Sequence, residues 1–272
     1  MKENRLPWVV EPKQLFNHLG HHHLRIVDLC KLETYVQGHV PGAHHLEYKD
    51  IVAAKPPAMG LLPDQEVLQA IASRLGLTAD THVVAYDDEG GGKAARLLWT
   101  LDCMGHQSLS LLNGGIHAWA NEGYPLEQKV DSIEQTNYAL KMTDEPIATR
   151  EFIQTHLDDK QVALLDTRSS AEYTGMKKFA LHGGHIPGAV NMDWLMLLDR
   201  DNNLKLRPVD ELHDLLQTRG MTSDKTIVTY CQTNHRSALV YFVLKALQYP
   251  NIKAYPGSWS DWGNRHDTPI EV

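Results

Sequence analysis

Cysteine is scarce in this 272-residue chain: there are three, Cys30, Cys103 and Cys231. They are too few and too widely spaced for a disulfide framework or a zinc ribbon, and reduced thiols in a cytoplasmic setting are the simpler expectation. Long apolar runs are also missing. None approaches the roughly 18–20 residues that a membrane span needs. The N-terminus, Met1 to Trp8, has no apolar stretch followed by a small-residue cleavage site and does not read as a signal peptide. Nor is there a surplus of positive charge: 26 Lys and Arg stand against 34 Asp and Glu, a net −8. That balance argues against nucleic acid or an anionic membrane as partner. An anionic substrate would need a local positive site, because the molecule as a whole repels it.

What the chain does have is a repeat. Arg25-Ile26-Val27-Asp28 is echoed by Leu164-Leu165-Asp166, and Gly38-His39-Val40-Pro41-Gly42-Ala43 by Gly184-His185-Ile186-Pro187-Gly188-Ala189. His82–Tyr86 matches Thr226–Tyr230, and Asn113–Trp119 matches Pro256–Trp262. The four offsets run 138, 146, 144 and 143 residues, with an insertion near Met176–Gly183 in the second half. Two copies of one domain follow, expected at residues 1–127 and 148–272, with a polar linker at 128–147 onto which Tyr138, Leu140 and Met142 could dock. The triplet His21-His22-His23 has no second ligand cluster and reads as a surface loop.

Each copy alternates short β-branched apolar runs with helical periodicity. In the second, Val162–Asp166, Thr226–Tyr230 and Asn251–Tyr255 read as strands, with helices starting at Asp210 and spanning Ser237–Leu247. The fold class is therefore α/β: tandem domains, each a mainly parallel sheet with helices on both faces. Ligands in such sheets sit beyond the carboxyl ends of the strands, where Cys231 falls.

The stretch Cys231-Gln232-Thr233-Asn234-His235-Arg236-Ser237 joins a strand to a helix. A short loop there can turn successive N–H groups toward one centre, and the helix adds the positive end of its dipole. With the Arg236 guanidinium, these donors should draw the Cys231 thiol down from its usual pKa of about 8.5. The same cradle, Gln232, Thr233, Asn234, His235, Arg236 and Ser237, would bind the anionic part of a substrate beside the sulfur. In the first copy Asp87 stands where Cys231 does, followed by Asp88-Glu89-Gly90-Gly91-Gly92-Lys93. A carboxylate cannot take up sulfur, so that site is expected to be dead. It is not a phosphate loop either, since the spacing and the Ser/Thr after the lysine are wrong.

These residues resemble the rhodanese family across both halves, through the repeated Gly-His-Val/Ile-Pro-Gly-Ala motif, the cysteine loop and the late Gly-x-x-x-x-Trp. Cys-Gln-Thr-Asn-His-Arg-Ser looks like the active loop of the bacterial two-domain thiosulfate sulfurtransferases. The resemblance implies an inactive N-terminal domain, a C-terminal active site and a ping-pong cycle through a Cys231 persulfide. Thiosulfate would be the small anionic sulfur donor, and cyanide or a thiol, including that of a sulfur-accepting protein, the acceptor. No metal or organic cofactor is implied.

Three alternatives stay open. A 3-mercaptopyruvate sulfurtransferase usually carries a Cys-Gly-Ser/Ala-Gly loop and an arginine just before the aromatic equivalent to Tyr173, where this chain has Glu172. A dual-specificity phosphatase needs five residues between cysteine and arginine, and only four intervene here. The third is a non-catalytic binding or sulfur-delivery scaffold with little turnover; the presence of both Cys231 and Arg236 argues against a wholly inert protein, while handing sulfur to a partner protein is compatible with the enzyme reading. Asp28, Asp166 and Arg168 are expected to anchor loops by ion pairing, Gly188 and Gly257 to sit at turns needing unusual backbone angles, Trp194, Trp259 and Trp262 to pack, and Cys30 and Cys103 to be inert.

Overall fold

A computed structural model describes residues 6–272; most of the N-terminal stretch read above, Met1–Arg5, lies outside the described residues. The chain forms two compact units. Of the described residues, the first comprises 6–51, 63–143 and 199–206, the second 52–62, 144–198 and 207–272. Two short segments thus belong to the unit that is remote in sequence. The hairpin formed by Ala53–Lys55 and Ala58–Leu61 packs with the second unit, and residues 199–206 with the first.

In the first unit Val9–Val10, Leu109–Leu112, His82–Tyr86, Leu24–Asp28 and Ala43–His45 lie side by side in that order, every pair parallel. The second unit repeats the order with Ile252–Ala254, Thr226–Tyr230, Val162–Asp166 and Val190–Asn191, again parallel throughout. Its counterpart of Val9–Val10 has shrunk to one bridge between Ile147 and Ala254. The central strands are buried at consecutive residues, Ile227 to Tyr230 for example, so both sheet faces are covered. Apolar, β-branched sequence without polar alternation is what such a position selects. Among the described residues no helix is long and apolar enough to cross a membrane.

The repeat extends to individual contacts. His39 stacks on Tyr35 at 4.0 Å and His185 on Tyr173 at 3.6 Å, each through the histidine of the Gly-His motif. The Val40 N–H donates to the Tyr86 hydroxyl at 3.1 Å, and the Ile186 N–H to that of Tyr230 at 3.2 Å. Trp119 and Trp262 each send their indole N–H to a carbonyl a few residues on, that of Pro125 or Pro269. Gly42 and Gly188 take φ of 75° and 73°, the left-handed angle that glycine adopts without steric cost. The motif is therefore a corner that ties the loop after the first strand to the tyrosine ending the central one. Gly257 differs from expectation: its φ is −61°, and glycine is needed for room, since a Cβ there would lie 2.8 Å from the Tyr255 ring. The unusual angle belongs to its neighbour Ser258, at φ 50°.

Tyr138 is buried against the first unit, its hydroxyl 3.0 Å from His106 Nδ1. Asp166 and Arg168 form a buried ion pair at 2.6 Å, with Arg168 also donating to the Gly184 carbonyl. Asp28 departs from that expectation: its carboxylate accepts from the Cys30 N–H and the Tyr86 hydroxyl, because the place of Arg168 is taken by Cys30.

Candidate active site

The second unit's central strand ends at Tyr230, and the helix Arg236–Ala246 begins six residues later. Five residues must reverse the chain, which forces Asn234 to φ 54°, a conformation asparagine tolerates better than most residues. Cys231 opens this turn. Its thiol receives the Ser237 hydroxyl at 3.4 Å and the backbone N–H groups of Thr233 and Ser237. Burial pushes its pKa up, but the Arg236 charge, the Ser237 hydroxyl and those two amides outweigh it and bring the pKa down to about 7. Near neutral pH a large fraction of the sulfur is thiolate. The residue has no exposed surface.

Arg236 is not a free cation waiting for substrate. Its Nη1 and Nη2 donate to Glu172 Oε2 and Oε1, both at 2.8 Å, in a fork-to-carboxylate pair. Burial disfavours the charge on Arg236, but Glu172 and the Cys231 sulfur together raise its pKa above the usual value. Burial likewise works against the Glu172 carboxylate, yet Arg236 and the Ser169 hydroxyl, which donates at 2.7 Å, hold it down at about 2. Ser169 is the N-cap of the helix Ser170–Tyr173, and Glu172 closes its capping box. A local helix-start signal thus delivers a buried anion to the arginine of the sulfur loop.

The remaining loop residues divide. Thr233 and Ser237 face the sulfur through their amides, Ser237 also through its hydroxyl. Asn234, expected to meet substrate, is wholly buried. Its side-chain amide lies 2.8 Å from the Ser237 hydroxyl oxygen and its N–H donates to Ser258 Oγ at 3.1 Å, so it frames the loop from inside. The Gln232 amide turns away to the Phe179 carbonyl at 3.2 Å. The His235 ring lies 6.1 Å from Trp194. Ser258 and the hairpin residue Gly60 were not read from the sequence as parts of the site, and Glu172, read only as a departure from a substrate-clamping arginine, was not expected to pair with Arg236. Glu172 alone carried a signal, the Ser-x-x-Glu spacing from Ser169.

Cys30 is also buried, but burial and the neighbouring Asp28 carboxylate raise its pKa far above the usual thiol value, the opposite of Cys231. The first unit's equivalent loop holds Asp87 in the same place. Its carboxylate accepts N–H bonds from Glu89 at 3.0 Å, Gly91 at 2.8 Å and Ala94 at 2.9 Å.

The rhodanese-like domain family matches residues 11–122 and 149–265. The chain is 43% identical to the thiosulfate sulfurtransferase of Pseudomonas aeruginosa over 267 residues, 98% of each chain. It is 35% identical to the sulfur carrier protein TtuD of Thermus thermophilus, covering 97% of this chain and 94% of that one. Among solved structures, the anaerobic ergothioneine biosynthesis enzyme of Chlorobium limicola superposes with a TM-score of 0.85 at 19% identity, over 97% of this chain and 70% of that one. The chain is a pair of rhodanese-like domains and belongs to the rhodanese-like family.

Proposed function

We propose that the protein is a thiosulfate sulfurtransferase that carries sulfane sulfur on Cys231, in the domain at 148–272, while the domain at 1–127 is catalytically inactive. The observation that carries this reading is a thiol at the end of the central strand, met by the Thr233 and Ser237 amides, the Ser237 hydroxyl and the Arg236 charge. The Cys231 thiolate attacks the outer sulfur of thiosulfate; that sulfur's bond to the sulfonate sulfur breaks and its electron pair leaves with sulfite. The new Cys231–S–S⁻ persulfide is again an anion and rests on the same donors, which also stabilise the charge developing in the transition state. A nucleophile, cyanide or a thiol, then takes the outer sulfur and restores the thiolate. Where the acceptor is a protein, the chain works in sulfur delivery, as the likeness to a sulfur carrier supports. The three free thiols fit a cytoplasmic setting.

Glu172 separates thiosulfate from 3-mercaptopyruvate. An ionised, buried carboxylate stands where that second reaction would need a cation for the substrate's own carboxylate. Intact mass after thiosulfate treatment tests the reading. A gain of one sulfur, about 32 Da, should appear, be removed by cyanide and be absent in Cys231→Ala. An unmodified wild-type mass would reject the proposal.

A further inference from the structure

Ser258 carries an unexplained strain. It is the first residue of the helix Ser258–Trp262, wholly buried, and its φ of 50° lies in the left-handed region that side chains other than glycine and asparagine avoid. In the first unit the same place is held by Gly115 at φ 55°. There glycine is obligatory: a Cβ would lie 2.2 Å from the carbonyl oxygen of Asp87, the residue that stands for Cys231. One copy of the domain therefore makes this turn with the residue suited to it, and the other makes it with a serine.

The serine's hydroxyl is fully used. Ser258 Oγ accepts the N–H of Cys231 at 3.3 Å and that of Asn234 at 3.1 Å, and donates to the Tyr255 carbonyl at 2.8 Å. One oxygen thus joins the first and fourth residues of the sulfur loop and fastens both to the end of the neighbouring strand. The adjacent Trp259 N–H holds the Cys231 carbonyl at 2.9 Å. From the other side, the hairpin's Gly60 lies so close that a Cβ on it would be 2.2 Å from the Thr233 carbonyl oxygen. In a trans peptide the C=O and N–H point opposite ways. The Thr233–Asn234 peptide is therefore gripped at both ends, its oxygen against Gly60 and its N–H on Ser258. With that peptide fixed, the Thr233 amide on its near side is left facing the sulfur.

We infer that Ser258 is a positioning residue for sulfur transfer, whose hydroxyl holds the loop in the form that presents the Thr233 and Ser237 donors to the sulfur anion. The inference deepens the sulfurtransferase reading and rests on it for its kinetic consequence, but its geometric content can be read without turnover. Two variants test it. Ser258→Gly should fold at least as well as the parent, because Gly115 shows that glycine suits this turn. Ser258→Ala keeps the strained backbone and removes only the oxygen. In both, the pH dependence of Cys231 alkylation should move upward by roughly half a unit or more, as amides lose their aim at the thiolate. Persulfide formation from thiosulfate should slow by roughly tenfold, the loss of about one hydrogen-bond network contact. A Cys231 titration and sulfur-uptake rate equal to the parent's in both variants would overturn the inference. If the parent itself takes up no sulfur, the functional reading falls, whereas the titration shift still decides the role of Ser258.

Discussion

The loops at 87–91 and 231–235 are the same turn put to opposite uses. Each follows a buried central strand, curls its amides inward and ends on a helix, Gly92–Cys103 in one unit and Arg236–Ala246 in the other. In the first, the anion is built in. Three amides converge on the Asp87 carboxylate, and the outer acids Asp88 and Glu89 are matched by Lys93, 3.2 Å from each. In the second, under the reading proposed above, the anion is made by ionising a thiol and then by adding sulfur to it. The difference teaches what the turn offers: a set of inward N–H groups around one side chain, with the residue at its mouth deciding whether they meet a carboxyl group or a thiol. The helix's first residue differs too, glycine at position 92 and, beside the thiol, Arg236, which pairs with Glu172 and favours the thiolate.

The comparison can be broken most sharply by making the second loop like the first. Cys231→Asp should fold, with the new carboxylate taking the amides of Thr233 and Ser237 much as Asp87 takes those of its own loop. Sulfur transfer should fall by at least about a thousandfold, since no nucleophilic sulfur remains. Thiocyanate formation and thermal denaturation check the two halves of this expectation. An unfolded Cys231→Asp would mean that the two turns are not equivalent anion receptors.

Arg236→Ala probes the second difference and should have the next largest effect. It removes the largest charge favouring the thiolate and strands Glu172, which is buried and ionised. Thiosulfate turnover should drop by one or more orders of magnitude, in keeping with the loss of a charged contact of about 1.5–3 kcal/mol. The pH profile carries the sign. Because folding lowers the Cys231 pKa to about 7 from the ordinary thiol value, its thiolate contributes stability in full above that ordinary value and loses it as pH falls through 7. Alkylation of the parent should accelerate through pH 7, and Arg236→Ala should shift that rise upward. An unmoved profile would take Arg236 out of the thiol's ionisation.

The repeat, the parallel sheets and the sulfur loop were legible because each is local or periodic. Strand 226–230 was read to the residue, and the helix after it to within one, since apolar runs and the loop's polar residues mark both ends. What was not legible came from afar. Glu172 lies 64 residues before Arg236, Ser258 27 after Cys231, and Gly60 far upstream, in a hairpin that the sequence alone gives no reason to place with the second unit. Side-chain direction was equally hidden. Asn234 looks like a substrate donor in a polar loop, but it has a positive φ and is wholly buried, its side-chain amide 2.8 Å from the Ser237 hydroxyl. Arg236 was read as an open cation for the same reason: its partner is not a sequence neighbour.

The finest test converts the first loop toward the second. Asp87→Cys, in a Cys231→Ser background, puts a thiol among the amides of Glu89, Gly91 and Ala94 but supplies no counterpart of Arg236. The site is fully buried, and burial together with the Glu89 charge already raises the pKa of Asp87 despite three amide bonds. A thiol there meets the same burial and the same repulsion, while Lys93 is committed to Asp88 and Glu89. It should stay protonated at neutral pH, resist alkylation in the folded state and show no mass gain with thiosulfate. Uptake of sulfur at position 87 would mean that converging amides alone activate the thiol, and would move the cause of reactivity from Arg236 and Ser237 to the turn itself.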